Sequence, residues 1–166
     1  MFVAVRPPPE VIDAIADLPT RALRGVKYTR RAQWHVTLRF LGDCQRHRAL
    51  EAFAALRAPK ATVTLGPDVA LLGNRVVMLA AAGLDDVAAE VATAFADVGE
   101  PTEREFAGHL TLARLKGRPL RDPGLVSVLG EPFAMSFDAS EVELIKTELS
   151  PEGATHTLVA TQDLLS

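Results

Sequence analysis

The sequence predicts an α+β fold that is loosely duplicated along the chain. Its 166 residues suffice for one compact domain, or for two small lobes that share a core. Strand patterns fall in groups between helical patterns, which favours α+β over a doubly wound parallel sheet. Each half contains one strand with the same four-residue pattern, whereas no strand is followed by a glycine-rich phosphate loop or a dinucleotide fingerprint.

The first half of the chain predicts four strands and two helices. A short apolar strand, Phe2–Val5, ends at three prolines, and a helix with one apolar stripe runs from Glu10 to about Leu23. Trp34–Leu41 alternates between polar and apolar residues, which is typical of a half-buried strand. The remaining elements are a helix over Arg46–Leu56 and two strands delimited by turns at residues 66–67 and 73–74, Thr62–Leu65 and Arg75–Ala80.

The second half opens with the most regular helical pattern. Its apolar stripe covers Leu84–Val98, and Gly99 follows the predicted end. A strand is predicted over His109–Leu115, and a short helix over Pro123–Leu129 comes after it. Three closing strands are predicted, with a turn at 150–153 before the last, over Phe133–Phe137, Glu141–Leu149 and Thr155–Thr161.

Composition places the chain among ordinary globular proteins. Hydrophobic residues make up 48% and charged residues 23%, which excludes a disordered, collagen-like or coiled-coil protein. No apolar run approaches the roughly 18 residues of a membrane span, and the N-terminus lacks a signal-peptide pattern. The single cysteine, Cys44, excludes an intramolecular disulfide and a cysteine-rich metal site. We therefore expect a reduced, cytoplasmic protein without membrane contact, and the sequence gives no reason to expect more than a monomer.

The net charge of −3 conceals two basic segments. Residues 21–48 contain eight arginines and lysines against one aspartate, and residues 104–121 contain five against one glutamate. Such segregation predicts a local positive field on an otherwise acidic molecule, suited to a small anionic ligand or to the end of a nucleic acid. Solvated helix ends and loops are the alternative explanation.

Two strands, one in each half, contain the sequence His-x-Thr-Leu. The first motif begins at His35 and the second at His109, 74 positions later. Because alternate residues of a strand share a face, each histidine lies beside a threonine, Thr37 and Thr111 respectively, while the intervening apolar residues face the core. One such histidine alone is more often a packed or solvated residue, but two copies on well-patterned strands favour a shared site.

These paired residues supply the groups that phosphoryl transfer needs. Two imidazoles can accept and donate a proton near neutral pH, and two hydroxyls can donate hydrogen bonds to phosphate oxygens without adding charge. By alternation Arg39 shares the face of His35, so we predict that it helps to bind phosphate; a solvated strand edge is the alternative. No acidic cluster accompanies either motif, and we expect no metal and no cofactor.

Both motifs resemble those of the two-histidine phosphoesterase superfamily, and more narrowly its bacterial RNA 2′,3′-cyclic phosphodiesterase branch, also called 2′-5′ RNA ligases. The matching stretches are Trp-His-Val-Thr-Leu-Arg-Phe-Leu-Gly (34–42), His-Leu-Thr-Leu-Ala-Arg (109–114) and a closing Leu-Ser-Pro-x-Gly hairpin. The resemblance spans nearly the whole chain. It implies one bilobal domain over residues 1–166, with pseudo-twofold antiparallel sheets, helices on the outer faces and a central cleft.

This resemblance also implies an activity, the hydrolysis of RNA 2′,3′-cyclic phosphate ends to 2′-phosphate ends without metal or nucleotide cofactor. It implies an acid–base pair and a phosphate-binding pair, which are His35 with His109 and Thr37 with Thr111. It further implies that Arg114 contacts the phosphate and that Trp34 stacks on the terminal base. Strict alternation places Arg114 and Trp34 opposite the histidines, so a bulge or strand twist is needed to redirect them.

Several assignments stay open at this level. We favour His109 as the base and His35 as the acid, although the symmetry of the motifs permits the reverse. Gly108 replaces a proline that is common in the family, which we expect to loosen the approach to the second strand. His156 replaces an aromatic residue, and we interpret it as a surface histidine. A nucleophilic pair of Cys44 with His47 is disfavoured because no orienting partner accompanies it. Four arginines are expected to flank the cleft, namely Arg30, Arg31, Arg118 and Arg121.

Three alternative functions remain. The reverse reaction, which joins a 5′-hydroxyl RNA to the cyclic phosphate in a 2′-5′ linkage, could be the main activity. A module that binds RNA ends or phosphate without turnover would need the same groups. A metal-dependent hydrolase would use His35 and His109 as ligands and would require carboxylates that converge on them.

Overall fold

The structure is a computed structural model that describes residues 1–101, 105–116, 123–151 and 153–165. Its helices are α1 (Pro9–Ala16), α2 (Arg46–Ala55) and α3 (Asp85–Ala94), with short 3₁₀ turns at Arg31–Gln33 and Pro123–Leu125. The strands, in chain order, are β1 (Phe2–Val5), β2 (Val26–Tyr28), β3 (Val36–Phe40), β4 (Ala61–Leu72), β5 (Val76–Ala82), β6 (His109–Leu115), β7 (Met135–Ala139), β8 (Glu141–Ser150) and β9 (Gly153–Asp163).

The α+β class is confirmed, and the strands of the described residues form one antiparallel sheet. The sheet order is β7-β4-β5-β6-β3-β1-β8-β9. The short strand β2 pairs with the end of β6, on the side of β6 that faces away from β5. The two motif strands, β3 and β6, are neighbours that pair at Val36 and Leu110. Each therefore begins a four-stranded arm of the sheet, β3-β1-β8-β9 on one side and β6-β5-β4-β7 on the other. Each arm contains two strands from the first half of the chain and two from the second, so the arms are not the two halves of the sequence.

The sheet buries one apolar face under the helices. α3 packs on β3 and α2 packs on α3 and β9. The largest fully buried side chains include Phe53 of α2, Phe95 just after α3 and Leu79 of β5. In both motif strands the residues between histidine and threonine are fully buried, so the polar residues of each motif face away from this core. Within the described residues we find no helix with the length and apolarity needed to cross a membrane.

The structure differs from the predicted elements where long-range pairing overrides local signals. β2 is not predicted, because three residues carry no periodicity, and it exists through its pairing with β6. β4 continues through Gly66 and Pro67, where we expected a turn, and a register shift against β5 accommodates them. α1 ends at Ala16, before Pro19, and the helix expected over 123–129 is a 3₁₀ turn. The predicted turn at 150–153 falls partly outside the described residues.

A partly buried ion pair joins the residue after the first strand to the neighbouring strand β8. Nε and Nη2 of Arg6 donate to the carboxylate of Glu143 on β8 at 3.0–3.1 Å, and Nη1 donates to the carbonyl oxygen of Ala32 at 2.9 Å. The Glu143 side chain is only 9% exposed. Removal of Arg6 would leave that carboxylate buried without its partner, which is the costly way to break an ion pair.

We predict that Arg6→Met lowers the free energy of unfolding by about 3 kcal/mol. The matched control is Arg31→Met, because Arg31 pairs with Asp13 at a site where both side chains are more than half exposed. Such exposed pairs contribute at most about 1 kcal/mol. Urea titration of both variants and the wild type measures the two losses, and equal losses would contradict the structural role assigned to Arg6.

Candidate active site

A cavity of about 560 Å³ opens on the polar face of the two motif strands. All four residues of the predicted acid–base and phosphate-binding pairs line it, His35, Thr37, His109 and Thr111. The antiparallel pairing of Val36 with Leu110 places each histidine opposite the threonine of the other strand. The four side chains are therefore brought together by a single point of strand pairing.

A β-bulge interrupts each motif strand at the same position, three residues after the histidine. On β3, Val3 pairs with Arg39 and Ala4 pairs with Thr37, so Leu38 has no partner on β1. On β6, Val77 pairs with Ala113 and Met78 pairs with Thr111, so Leu112 has no partner on β5. An extra residue in a strand reverses the alternation beyond it. The fifth residue after each histidine therefore returns to the cavity face.

These bulges decide which flanking residues reach the cavity. Arg114 lines it, as the family resemblance requires, and on the other strand the equivalent position is Phe40, whose side chain is 64% exposed. Arg39 does not line the cavity, because the bulge breaks the alternation on which its predicted position depends. Nη1 of Arg39 instead donates to the carbonyl oxygen of Ala92 on α3 at 3.3 Å.

Trp34, which the resemblance predicts to stack on a base, does not line the cavity. It is 8% exposed, belongs to the hydrophobic core and is absent from the cavity lining. Its position agrees with the strict alternation of the strand, and no bulge intervenes between it and His35. Phe40 is an aromatic side chain that does line the cavity. Alternation within the strand does not predict this position, because it does not reveal the bulge at Leu38.

Both histidines are held in the same orientation by local backbone. Nδ1 of His35 donates to the carbonyl oxygen of Gln33 at 2.6 Å, and Nδ1 of His109 donates to that of Ala107 at 2.8 Å. A carbonyl oxygen only accepts, so Nδ1 holds the proton of each neutral ring. Nε2 then remains as the nitrogen that can gain or lose a proton in each imidazole.

His35 is packed against other rings. Its ring stacks on Phe2 with centroids 4.7 Å apart, and the ring of His156 meets it edge-on at 5.4 Å. The pKa of His35 is lowered from 6.5 to about 4, mainly by burial. The hydrogen bond to Gln33 opposes this shift, and the nearby His156, Arg6 and Arg114 add to it. His35 is consequently a neutral imidazole at neutral pH.

His156 is part of the site and not the surface histidine that the sequence suggested. It lines the cavity from β9, and Nδ1 is buried without a hydrogen-bond partner among the described residues. Burial, followed by the charge of Arg6, lowers its pKa. Its pairing with Thr147 across β8 and β9 brings it there, and such long-range register is not visible in a single strand.

Gly108 is a close-packing position and does not loosen the second strand. Its carbonyl oxygen accepts a hydrogen bond from the backbone N–H of Ala81 at 2.9 Å. A Cβ at Gly108 would lie 2.3 Å from the carbonyl oxygen of Ala81, so only glycine allows the two strands to approach this closely. This contact holds the backbone immediately before His109.

The cavity is lined by cations, and no Asp or Glu belongs to its described lining. Arg30 lines the cavity, whereas Arg31 pairs with Asp13 outside it. Arg118 and Arg121 lie outside the described residues. Nor does any part of the described chain bring together three or more His, Cys, Asp or Glu side chains as a metal site would require.

Comparison with known proteins gives a consistent set of relatives. The profile of the 2′-5′ RNA ligase superfamily matches residues 7–151. A curated RNA 2′,3′-cyclic phosphodiesterase from Methanocaldococcus jannaschii is 22% identical over 172 residues, which cover 96% of this chain and 97% of that protein.

Solved structures are similar over almost the full length. The protein TT0787 of Thermus thermophilus superposes with a TM-score of 0.79 and 27% identity, covering 98% of this chain and 96% of that one. LigT of Escherichia coli in complex with 3′-AMP gives a TM-score of 0.77 and 23% identity, covering 99% and 97%. The fold is thus that of LigT.

The shifted pKa of His35 predicts a pH-dependent stability. Between pH 6.5 and about 4 the unfolded chain binds a proton on His35 that the folded protein does not, so the free energy of unfolding falls as the pH falls through this range. The contribution of His35 is about 3 kcal/mol at most. In urea titrations at several pH values, we expect the free energy of unfolding of His35→Gln to fall less than that of the wild type between pH 6.5 and about 4.

The control is His47→Gln, since His47 is exposed on α2 and lies outside the cavity. If His35→Gln and the wild type lose stability in parallel down to pH 4, the assigned environment of His35 is wrong.

Proposed function

The chain belongs to the 2′-5′ RNA ligase superfamily, and we propose that it hydrolyses RNA 2′,3′-cyclic phosphate ends to 2′-phosphate ends. Its family and its distant archaeal relative support a 2′,3′-cyclic phosphodiesterase or 2′-5′ ligase type of activity. The observation that favours acid–base catalysis is the matched pair of histidines. Each lies opposite the other strand's threonine, and each has Nδ1 fixed by a backbone carbonyl.

In the proposed reaction, water attacks phosphorus opposite the 3′-oxygen, the new P–O bond forms and the bond to the 3′-oxygen breaks. One histidine accepts the proton of the water at Nε2, and the other donates a proton from Nε2 to the leaving 3′-oxygen. Thr37, Thr111 and Arg114 stabilise the negative charge that develops on the non-bridging oxygens. The 2′-oxygen keeps the phosphate. Neither step requires a metal ion.

The proposal does not depend on which of the two histidines is the acid and which is the base. His35 is neutral in the free protein, so it can accept a proton as it stands, whereas it can act as the acid only if it gains a proton when the anionic substrate binds. A substrate with sulfur in place of the 3′-oxygen distinguishes the two orders, since a thiolate leaves without protonation. The variant that lacks the acid retains turnover of this substrate, and the variant that lacks the base does not.

We predict that His35→Ala and His109→Ala each reduce kcat by roughly 10²–10⁴-fold on a short RNA with a 2′,3′-cyclic phosphate end. Excess chelator should leave the wild-type rate unchanged. Chromatography of the product identifies the 2′-phosphate, and His47→Ala serves as the control outside the cavity.

Loss of wild-type turnover in chelator would support the metal-dependent alternative. Binding of the RNA without any turnover would support an end-binding module. A higher rate of joining a 5′-hydroxyl RNA than of hydrolysis, at equal RNA concentrations, would make ligation the main activity.

We further propose that Phe40, and not Trp34, stacks on the terminal base. Its side chain is the exposed aromatic group that the bulge turns toward the cavity. Stacking on an aromatic side chain contributes about 1–3 kcal/mol per base. Phe40→Ala should therefore raise KM by roughly 5–150-fold with little loss of stability, while Trp34→Ala should mainly destabilise the protein. Steady-state kinetics and urea titration of both variants test this division, and an unchanged KM in Phe40→Ala would contradict it.

A further inference from the structure

One wall of the cavity carries more positive charge than the proposed reaction uses. Hydrolysis of a cyclic phosphate involves one phosphate, and Arg114 together with the two threonines serves it. Lys27, Arg30 and Lys116 also line the cavity, and all three are exposed. None of them forms an ion pair with a carboxylate of the described residues.

These cations are concentrated at one end of the cavity. Lys27 is directly opposite Arg114 in the pairing of β2 with β6, and Lys116 follows two residues later, where its backbone N–H donates to Gly25. Arg114 lies three positions after Thr111, with the bulge at Leu112 between them. Measured between backbone positions, Lys116 lies two residues farther from Thr111 than Arg114 does, and Lys27 lies on the neighbouring strand, so these cations are available to a second anion.

The hairpin between β8 and β9 brings two of the cations together. A Cβ placed on Gly153 would lie 3.1 Å from Nζ of Lys27 and 3.8 Å from Nη2 of Arg30. Gly153 has a φ of +130°, which favours glycine. Because it has no side chain, both positive groups can lie next to its backbone. Gln33 holds the hairpin in place through a 2.7 Å hydrogen bond from Nε2 to the carbonyl oxygen of Ala154. Two cations kept this close favour an anionic ligand between them.

The shape of a nucleotide matches the two ends of the cavity. Because β3 and β6 are antiparallel, Phe40 and Arg114 lie beyond their threonines in opposite directions. A ribose with its 2′,3′ edge at the histidines carries its base on C1′, at one side of that edge, and its 5′ substituent on C4′, at the other. With the base on Phe40, the 5′ substituent extends toward Arg114, Lys27 and Arg30.

We propose that Lys27, Arg30 and Lys116 form a second phosphate subsite, which binds the phosphodiester on the 5′ side of the terminal nucleotide. This inference rests on the proposed function and narrows it: oligoribonucleotide ends are preferred over free nucleoside 2′,3′-cyclic phosphates, which lack that second phosphate. The subsite contributes charge and no base contacts, so the preference is independent of the penultimate base.

The test compares adenosine 2′,3′-cyclic phosphate, its 5′-phosphorylated form and the dinucleotide ApA with a 2′,3′-cyclic phosphate end. In the wild type we expect kcat/KM to be at least about tenfold higher for the dinucleotide than for the nucleoside. In the double variant Lys27→Gln/Arg30→Gln that ratio should fall to near one, and the slope of log kcat/KM against log salt should flatten by about 0.7 for each lost phosphate contact. Lys27→Arg should retain the ratio, as should the control Arg46→Gln on α2.

The 5′-phosphorylated nucleoside shows whether the subsite binds any 5′ phosphate or selects the phosphodiester of an RNA chain. An advantage equal to that of the dinucleotide means that any 5′ phosphate fills the subsite, whereas a smaller one shows selection for a diester. A wild-type ratio near one, or a ratio that the double variant leaves unchanged, overturns the proposal.

Affinity provides a readout that does not depend on turnover. Calorimetry with the 2′-phosphate products of the nucleoside and the dinucleotide should show the same preference and the same loss in the double variant. If no substrate is hydrolysed but this preference is present, the proposed reaction fails and the subsite stands. If hydrolysis occurs without the preference, the subsite fails and the reaction stands.

Discussion

The site depends on one short contact between two strands, the antiparallel pairing of Val36 with Leu110. Both residues are completely buried, and each is flanked by a histidine and a threonine on the opposite face. This one register therefore fixes the relative positions of all four polar side chains. A shift by one residue would turn the histidine and threonine of one strand toward the core. The two arms of the sheet on either side, together with the helices behind them, hold that register.

Much of this could be predicted from the sequence, because the relevant signals are local. Alternation in residues 34–41 and 109–115 gave the correct face for His35, Thr37, His109 and Thr111, and the burial of the residues between them agrees. Alternation fails three residues after each histidine. The bulges at Leu38 and Leu112 are defined by pairing with β1 and β5, which no pattern within one strand contains. Alternation alone therefore places Arg39 on the cavity face, which the structure contradicts, and does not place Phe40 there.

The remaining errors have the same origin in long-range contacts. β2 is three residues long and has no periodic signal, yet it contributes Lys27 to the cavity through pairing with β6. His156 is distant in sequence from both motifs and reaches His35 through the register of β8 with β9.

Gly108 shows why a departure from a family pattern does not by itself loosen a structure. Its missing side chain permits a closer approach to Ala81 than proline or alanine would allow.

The charge distribution connects the proposed chemistry to binding. Arg6, Arg114 and His156 lower the pKa of the His35 imidazole, and its burial, which includes the contact with Phe2, lowers it most. A bound phosphate opposes these effects, since it places negative charge among the same groups. The proton affinity of His35 is thus coupled to the presence of the anion. In the proposed reaction, His35 accepts a proton as it stands in the free protein, or it gains one with the bound phosphate and donates it, so binding of the anion is coupled to the acid–base step.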